Sequence, residues 1–456
     1  MSGIGIVHFG PGAFHRAHQA DYIDRLLERD DRWGIAAISL RSAGTIEALK
    51  RQSGRYTLAI LDAETSFRTI GAHRGFFGPG EGDGTRALLR DPAVRIVSST
   101  VTEKGYCLDG AGRLDLGHPD IVRDIADPEH PVGIIGWLAL GLRDRRDAGL
   151  PAFTALCCDN MVANGRKLRA AVSAYAKRLD PALAEWIERE AVLPNTMVDS
   201  ITPATDDALR SRVRAQGFDD DIPVSREAYA AWIVEDVLPG DAPDLASVGI
   251  VLAKDVDAWE KAKLRILNGA HSSLAYLGLP LGHGTVADAM ADAALAGFVT
   301  RLIREDIVPS LEPSPIDLAL YSGQILTRFR NPAIGHKLSQ IAWDGSQKLP
   351  YRLLDAIAEA RAAGRGIERL AVPIAAWLLF VEQRAQAGIA IVDPLAEQLA
   401  EIGRGGDPAG GLLALRQVFP ERLAEDAVFT NAVRRAAERM RVAGPRALLA
   451  GEYADA

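Results

Sequence analysis

Short apolar runs alternate with helical patterns along the first half of the chain. The runs span residues 3–9, 34–40, 94–102 and 153–158, and they are rich in isoleucine, valine and alanine. Amphipathic helical periodicity lies between them. Strands that alternate with helices form parallel sheets with helices on both faces. The pattern therefore predicts an α/β fold with an N-terminal Rossmann-type, doubly wound sheet.

An insertion and a second, helical domain are also predicted. Residues 56–61 and 67–77, bounded by glycines, predict a strand pair carried as an insertion in the sheet. After about residue 255 strands become sparse, and a polar loop at 328–348 interrupts the helices. Helices are predicted over residues 257–277, 286–305, 316–329, 350–363, 368–388, 394–403 and 429–442. We expect a dinucleotide-binding domain at 1–255 and a mainly α-helical substrate and catalytic domain at 256–456.

A glycine-rich turn follows the first predicted strand. Gly10 and Gly12 lie between the apolar run and a helical pattern, and this layout lets a pyrophosphate approach the backbone at a helix N-terminus. The match to the dinucleotide fingerprint is partial, because His15 stands where a third glycine is expected. A plain strand-to-helix turn needs only one glycine, so this segment alone leaves both interpretations open.

The ends of the other strands carry polar residues. Residues 39–42, after the second strand, include no acidic residue for a ribose; Arg41 could bind the 2′-phosphate of NADP or be a solvated loop residue. Residues 103–106 and 159–160 follow the next two strands. Because the carboxyl ends of parallel strands face the ligand crevice, these residues are predicted to meet cofactor or substrate, with a charged turn as the alternative. Asp199 is predicted to be a buried carboxylate.

The helical pattern at residues 257–277 contains residue types suited to proton transfer. At about 100° per residue, Glu260, Lys263, Asn268 and His271 fall within an arc of roughly 140° that also contains leucines. A mixed polar and apolar arc of this kind is predicted to be buried or to line a cleft. The other side of the helix resembles a solvated face, with Lys261, Arg265 and Ser272.

Burial would give the lysine of this arc a chemical role. A lysine among apolar neighbours loses solvation of its charged form, which lowers its pKa and suits Lys263 to general acid or base catalysis. Asn268 and His271 could hold an oxygen beside it. The alternative is that Lys263 extends its amine to solvent and His271 is a satisfied core histidine. These residues alone do not separate the two hypotheses.

Composition limits the functional classes. The chain has 456 residues, a hydrophobic content of 48% and a net charge of −8 without a basic block, so nothing favours nucleic acid or a membrane surface as partner. Its three cysteines form neither a metal-binding spacing nor a disulfide framework. No apolar run approaches the roughly 20 residues of a membrane span, and the N-terminus has no signal-peptide pattern. A soluble cytoplasmic protein is expected.

Six motifs together resemble the long-chain polyol and sugar-acid dehydrogenases, the mannitol 2-dehydrogenase and fructuronate reductase family. They are spread over most of the chain in the family's order, which favours the catalytic interpretation of the lysine helix. The motifs are GPGAFHRAHQA at residues 10–20, TVTEKGY at 100–106, CDNMVANG at 158–165, MVDSITP at 197–203, KLRILNGAHS at 263–272 and RFRNPAIGHKLSQIAWDGSQKLPYR at 328–352.

The resemblance implies roles for individual residues. Lys263 resembles the family's catalytic acid/base, and Asn160 and Asn268 resemble the pair that holds the reacting oxygen. His271 and Asp199 are similar to residues that bind substrate hydroxyls. The remaining implied roles are a carboxylate on the proton path, Glu260; substrate contacts at Lys348, Lys104 and Gln340; and cofactor contacts at Gly10, Gly12, Ala13, Phe14, Arg41, Thr102, Glu103 and Asn160.

The resemblance also implies a reaction. Mannitol enzymes tend to have glycine at position 104 and arginine at position 340, so Lys104 and Gln340 favour the fructuronate reductase branch, in which an added cation could pair with a substrate carboxylate. We expect reduction of D-fructuronate to D-mannonate with NAD(H) and no metal, by an enzyme that could be monomeric. The alternatives are NADP(H) as cofactor, mannitol or D-arabinitol as substrate, and a catalytically silent nucleotide-binding sensor.

Overall fold

Residues 3–450 of the chain are described by a computed structural model, and they form two units whose boundary lies between Asp257 and Ala258. The boundary falls inside helix Val256–Ala262. In the described part of the first unit the strands are β1 (Ile4–Phe9), β2 (Gly34–Ile38), β3 (Tyr56–Leu61), β4 (Ser66–Ile70), β5 (His73–Phe77), β6 (Ile96–Ser99), β7 (Thr154–Cys157), β8 (Thr196–Asp199), β9 (Val224–Glu227), β10 (Ala231–Glu235) and β11 (Val251–Ala253).

The main sheet of the first unit has five parallel strands in the order β5-β2-β1-β6-β7. Every residue of its central strand, β1, is buried. Continuous burial is what a parallel sheet covered by helices on both faces requires, and it explains why β1 reads as an unbroken apolar run. The predicted strands at 3–9, 34–40, 94–102 and 153–158 are confirmed as β1, β2, β6 and β7, and the Rossmann-type sheet with them.

The predicted insertion is only partly correct. Strand β4 pairs antiparallel with β3, as expected for an inserted strand pair, and β9 completes a small sheet in the order β4-β3-β9. Strand β5, however, belongs to the edge of the main sheet, where it runs parallel to β2. The chain leaves β4 at Gly71 and Ala72 and changes sheets there. A third sheet, β11-β10-β8, was not predicted from the sequence.

Helices of the first unit connect these strands and cover the main sheet. Trp137 and Phe153 are among the buried residues of the core that they enclose. The helices are Ala13–Ala17, Gln19–Leu27, Gly44–Arg51, Gly82–Arg90, Pro119–Ala126, Ile134–Asp147, Asn164–Leu179, Pro181–Glu190 and Asp207–Ala215.

The second unit is built from helices around one large apolar core, which includes Trp377 and Phe419. This confirms the predicted helical half. The predicted polar loop at 328–348 also contains short helices, because Leu338 and Leu349 each bury an apolar side chain there. The α-helices of this half after the boundary helix are Ala270–Gly278, Val286–Ala291, Ala293–Arg301, Leu318–Phe329, Leu338–Ile341, Gly345–Leu349, Asp355–Ala362, Glu368–Gln386, Ala396–Gly403, Pro408–Leu413, Glu421–Ala424 and Ala427–Ala450.

In the described part of the second unit, residues 258–450, three segments are π-helices, in which each N–H bonds five residues back: Lys263–Gly269, Leu302–Ile307 and Pro350–Leu354. The first of them contains the lysine of the predicted catalytic helix. Within residues 3–450, no helix is both long enough and apolar enough to cross a membrane.

Candidate active site

The carboxyl ends of four parallel strands lie level with one another in the main sheet. Phe9 is opposite both Ile38 and Ser99, and Ser99 is opposite Cys157. The segments that leave the sheet after these residues therefore start side by side. They contain every residue expected to bind the cofactor: Gly10, Gly12, Ala13, Phe14, Arg41, Thr102, Glu103 and Asn160.

The glycine loop has the geometry of a cradle for a diphosphate. Gly10 has a φ of +88°, and a Cβ on it would lie 2.2 Å from the carbonyl oxygen of Thr100, so only glycine fits there. A Cβ on Gly12, in contrast, would meet nothing closer than the Gly10 carbonyl oxygen at 3.9 Å. The space beside Gly12 is open, and Gly12 precedes helix Ala13–Ala17. The loop thus fits the pyrophosphate of a dinucleotide.

His15 replaces the third glycine of the fingerprint without disturbing the loop. Its ring is buried and stacks on His8 with 3.4 Å between ring centroids. Its Nε2 lies 3.0 Å from Nε2 of His73, so one of these two nitrogens donates to the other. Burial lowers the pKa of His15 well below its usual value, and the neighbouring His8 and His73 lower it further. The imidazole is therefore a neutral packing group under the loop.

Asp159 ties the ends of β6 and β7 together. Its carboxylate accepts hydrogen bonds from the backbone N–H groups of Val101 (2.9 Å) and Thr102 (3.1 Å) and from the Tyr106 hydroxyl (2.7 Å). Burial raises its pKa, which the hydrogen bonds partly offset. The sequence placed Asp159 at a strand end but gave it no role of its own. In the structure it fixes the loop next to Asn160.

Asn164 does the same between β7 and β8. Its side-chain amide donates to the carbonyl oxygens of Cys157 (3.0 Å) and Thr196 (2.9 Å), and its side-chain oxygen accepts from the Thr196 N–H (2.8 Å). This connection holds Thr196, the first residue of β8, beside Cys157 at the end of β7, and Asp199 is the last residue of the same strand. Asp199 is 5% exposed, which confirms the predicted buried carboxylate. Asn164 belongs to a motif quoted above, but the sequence did not single it out.

The other candidate residues at this edge of the sheet are accessible. Asn160, Thr102, Glu103 and Lys104 have exposed side chains. Partial burial raises the pKa of Glu103, and the nearby Asp159 carboxylate raises it further. Polar side chains at the carboxyl ends of β6 and β7 thus reach the surface.

Arg41, the candidate 2′-phosphate ligand, is 74% exposed and forms an ion pair with Asp120.

The Asp120 carboxylate also belongs to a group of potential metal ligands. The group comprises Cys107, His118 and Asp120, whose ligand atoms lie within 4.8 Å of one another. It is the only cluster of three or more potential metal ligands in residues 3–450. The sequence analysis missed this group because it looked only at the spacing of the cysteines. His118 and Asp120 lie at the start of helix Pro119–Ala126.

In the second unit, Lys263 begins the π-helix Lys263–Gly269, which continues into helix Ala270–Gly278. Glu260 and Lys263 are buried, at 8% and 9% exposure, and Asn268 is half-buried. The predicted burial of this set is confirmed. The angles calculated for an α-helix do not hold beyond Lys263, because a π-helix has more residues per turn. π-Helical segments often occur at functional sites.

The opposite side of this helix is not the solvated face that the sequence suggested. Arg265 is 3% exposed, and its guanidinium donates to both carboxylate oxygens of Glu359 (2.6 and 2.7 Å) and to the Ser310 hydroxyl (3.0 Å). Ser272 is also buried. Only Lys261 is exposed, as expected. The error has a physical cause, since partners distant in the sequence satisfy these polar groups inside the fold.

Removing the counter-charge of Arg265 is predicted to destabilise the second unit. Glu359→Gln leaves a buried guanidinium without its carboxylate, so we expect a loss on the order of 1–3 kcal/mol in the free energy of unfolding. Lys261→Met is the matched control, because Lys261 contacts the same carboxylate from an exposed position and should cost less than about 1 kcal/mol. Urea unfolding measures both. Equal effects of the two variants would contradict the structural role of Arg265.

His271 lies in a group of aromatic and basic residues. Its ring is 4.5 Å from Phe329 and 5.0 Å from His336. Burial lowers its pKa well below the usual value, with further contributions from His336, Arg352 and Arg328. In residues 3–450, its buried Nε2 has no hydrogen-bond partner. A neutral imidazole with an unused ring nitrogen is suited to bind a ligand hydroxyl.

The candidate residues of the segment 328–348 differ in their surroundings. Lys348 donates to the carbonyl oxygens of Trp343 (2.6 Å) and Ile341 (3.5 Å), and its amine is 3.8 Å from Asp344. Burial lowers the pKa of Lys348. Gln340 is exposed. One turn beyond Lys348 stands Arg352, which the sequence did not single out although it ends the last quoted motif.

Comparisons with known proteins agree with this architecture. The model described as the mannitol dehydrogenase Rossmann domain matches residues 4–247, and the mannitol dehydrogenase C-terminal domain matches residues 255–441. D-mannonate oxidoreductase of Escherichia coli K12 is 40% identical over 461 residues, covering 98% of this chain and 95% of the relative.

Two solved structures match nearly the whole chain. A D-sorbitol dehydrogenase in substrate-free form has a TM-score of 0.92 and 32% identity, over 98% of this chain and 95% of that one. The ternary complex of Pseudomonas fluorescens mannitol 2-dehydrogenase with NAD and D-mannitol has a TM-score of 0.83 and 34% identity, over 100% of this chain and 95% of that one.

These findings define the class and then the family. A Rossmann-type unit with a glycine loop, followed by a helical unit of this kind, is the architecture of an oxidoreductase. The chain belongs to the mannitol dehydrogenase family, which confirms the resemblance seen in its motifs.

Proposed function

We propose that the protein catalyses the reversible reduction of D-fructuronate to D-mannonate with NAD(H). The observation that carries the choice of a sugar acid is the concentration of basic side chains around the lysine helix: Arg352 lies near both His271 and His336, Arg328 lies near His271, and Lys348 lies near His336. Such a site favours an anionic substrate over a neutral polyol. The 40% identity to a D-mannonate oxidoreductase supports the same choice.

In this proposal Lys263 is the general acid and base. In the oxidation of D-mannonate, Lys263 takes the hydroxyl proton while the carbon loses a hydride and becomes a ketone; in the reduction it returns the proton to the carbonyl oxygen. When bound, the nicotinamide cofactor accepts or supplies the hydride. Asn160 and Asn268 donate hydrogen bonds to the reacting oxygen and stabilise the negative charge that develops there.

The remaining candidates orient the substrate and connect Lys263 to solvent. Asp199 and His271 bind hydroxyl groups of the sugar acid; the unused Nε2 of His271 supports this role. Glu260, buried one helical turn before Lys263, receives or supplies the proton that Lys263 exchanges. The first unit then acts as the dinucleotide-binding domain and the second as the substrate domain.

The substrate proposal is tested by a comparison of D-mannonate, D-mannitol, D-arabinitol and the epimeric aldonates D-altronate and D-gluconate. We expect the highest kcat/KM for D-mannonate, because its carboxylate pairs with the basic site and its hydroxyl stereochemistry fits. Reduced nicotinamide absorbance follows each reaction. More efficient oxidation of D-mannitol would replace the proposal with mannitol 2-dehydrogenase activity, and cofactor binding without any turnover would indicate a sensor.

The cofactor preference is expected to depend on the ion pair of Arg41. Because Asp120 neutralises this arginine and would repel a 2′-phosphate, the wild type should bind NADH more tightly than NADPH. Asp120→Asn should improve NADPH binding several-fold, since an exposed charge contributes about 1 kcal/mol or less. Fluorescence titration with both cofactors measures this. Tighter NADPH binding by the wild type that disappears in Arg41→Ala would reverse the assignment.

A further inference from the structure

We propose that Arg352 is the residue that binds the carboxylate of the sugar-acid substrate. This assignment rests on the proposed function and replaces Lys348 and Lys104 as the first partner of that group. It is based on three observations within residues 3–450: the position of Arg352 against the lysine helix, its free hydrogen-bond donors and the absence of a carboxylate at ion-pair distance. A guanidinium with adjacent free donors matches the two oxygens of a carboxylate.

One edge of the Arg352 guanidinium is anchored on the lysine helix. Nη1 donates to the carbonyl oxygen of Asn268 at 3.3 Å and to the Ser272 hydroxyl at 3.0 Å. Ser272 is buried and directly follows His271. The charge of Arg352 therefore lies within reach of a molecule that contacts both Asn268 and His271.

The backbone around Arg352 is equally well fixed. A Cβ on Gly269 would lie 2.8 Å from the carbonyl oxygen of Arg352, so the two π-helices, Lys263–Gly269 and Pro350–Leu354, approach as closely as a glycine permits. Close backbone packing holds a side chain at a constant distance from its neighbour. Arg352 is thus held against the helical run that contains Lys263, Asn268 and His271.

The other edge of the guanidinium is free. In residues 3–450, no hydrogen bond uses Nε or Nη2 of Arg352, and neither atom is among the fully buried ones. Within the same residues, no carboxylate lies at ion-pair distance from Arg352, although burial lowers its pKa to about 10. A half-buried arginine without a counter-ion is costly unless a ligand supplies one.

Nearby acidic residues already have partners. Asp344 is 3.8 Å from the Lys348 amine. Asp393 accepts from the backbone N–H and the hydroxyl of Ser346. Lys348 itself is oriented toward the backbone by its bond to the Trp343 carbonyl oxygen. Among these charges Arg352 is the cation whose donors remain available.

The test compares an acidic and a neutral substrate in Arg352→Gln and Arg352→Lys. Loss of a charge-assisted, two-bond contact should lower kcat/KM for D-mannonate about 10- to 100-fold in Arg352→Gln, mainly through KM. Arg352→Lys should recover part of this loss. Turnover of D-mannitol should change less than about threefold. Titration of D-mannonate and D-mannitol into the NADH-bound enzyme gives the same comparison when a neutral substrate reacts too slowly to measure.

Ser272→Ala is the matched control, because it removes a partner of Arg352 without removing the charge. Ser272→Ala should change kcat/KM for D-mannonate and for D-mannitol by the same factor. An equal loss for both substrates in Arg352→Gln would overturn the assignment and leave a structural role through Asn268, and so would unchanged D-mannonate kinetics. Failure of the proposed function looks different, because the wild type itself would then show no activity with D-mannonate.

Discussion

Replacement of Lys263 by alanine is expected to lower kcat about 10²- to 10⁴-fold, because this is the contribution of a positioned general acid or base. The fold and cofactor affinity should remain, since the proposed cofactor cradle at Gly10 and Gly12 belongs to the other unit. Single-turnover measurement of hydride transfer, with NADH titration on the same preparation, separates the two properties. Small primary amines should restore part of the activity by occupying the vacated space.

Lys261→Ala provides the control for this experiment. Lys261 lies two residues earlier in the same helical run, but it is exposed and contacts Glu359. Its replacement should leave kcat within about threefold of the wild type, as exposed ion pairs contribute little. A near-normal kcat for Lys263→Ala, or equal losses in the two variants, would remove Lys263 from the mechanism.

The parts of the fold that the sequence predicted are those specified by local patterns. The strand β1 shows its apolar run because both faces of the sheet are covered, and helix Gln19–Leu27 shows its periodicity in the buried side chains of Tyr22, Ile23 and Leu26. The pairing of β5 with β2 could not be predicted, because the sequence pattern of residues 67–77 is compatible both with an inserted strand pair and with an edge strand of the main sheet. A strand of three residues such as β11 is too short to show a recognisable alternation of apolar and polar positions.

The candidate site was predictable where one helix carries it. The single helical run that contains Lys263, Asn268 and His271 was predictable from the sequence. Its π-helical form, which changes the angles between these side chains, was not predictable, because it depends on contacts such as the one between Gly269 and the backbone of Arg352. The buried state of Arg265 likewise depends on Glu359, 94 residues away. Because arginine is usually exposed, the residue type alone had predicted that Arg265 faces solvent.

Acid is expected to unfold the first unit because it buries four neutral histidines. Burial lowers the pKa of His8, His18 and His73 to about 3, and that of His15 well below its usual value. The unfolded chain binds protons at these residues below about pH 6.5, whereas the folded chain does not. The free energy of unfolding therefore falls as the pH drops from about 6.5 toward 3.

The size of this effect is large compared with protein stability. Each of the three histidines with a pKa of about 3 lowers the free energy of unfolding by about 2 kcal/mol by pH 5, or about 6 kcal/mol together, and His15 acts in the same direction. Typical domains have about 5–15 kcal/mol in total. Asp24, Glu103, Asp124 and Asp159 act in the opposite direction, because burial raises their pKa and the folded state then binds protons first. These carboxyls offset part of the effect of the four histidines.

His73→Gln isolates one of these contributions. Glutamine keeps a polar group near His15 and does not titrate, so between about pH 6 and 4 the dependence of the unfolding free energy on pH should decrease by about 1.4 kcal/mol per pH unit. His130→Gln is the control, because the His130 side chain is 78% exposed and should leave the slope unchanged. Urea unfolding at several pH values, with hydrogen exchange of β1 and β5 as the local probe, measures both slopes. An identical slope in His73→Gln and the wild type would show that the buried imidazoles are already protonated in the native state, and the acid sensitivity of this unit would then need another cause.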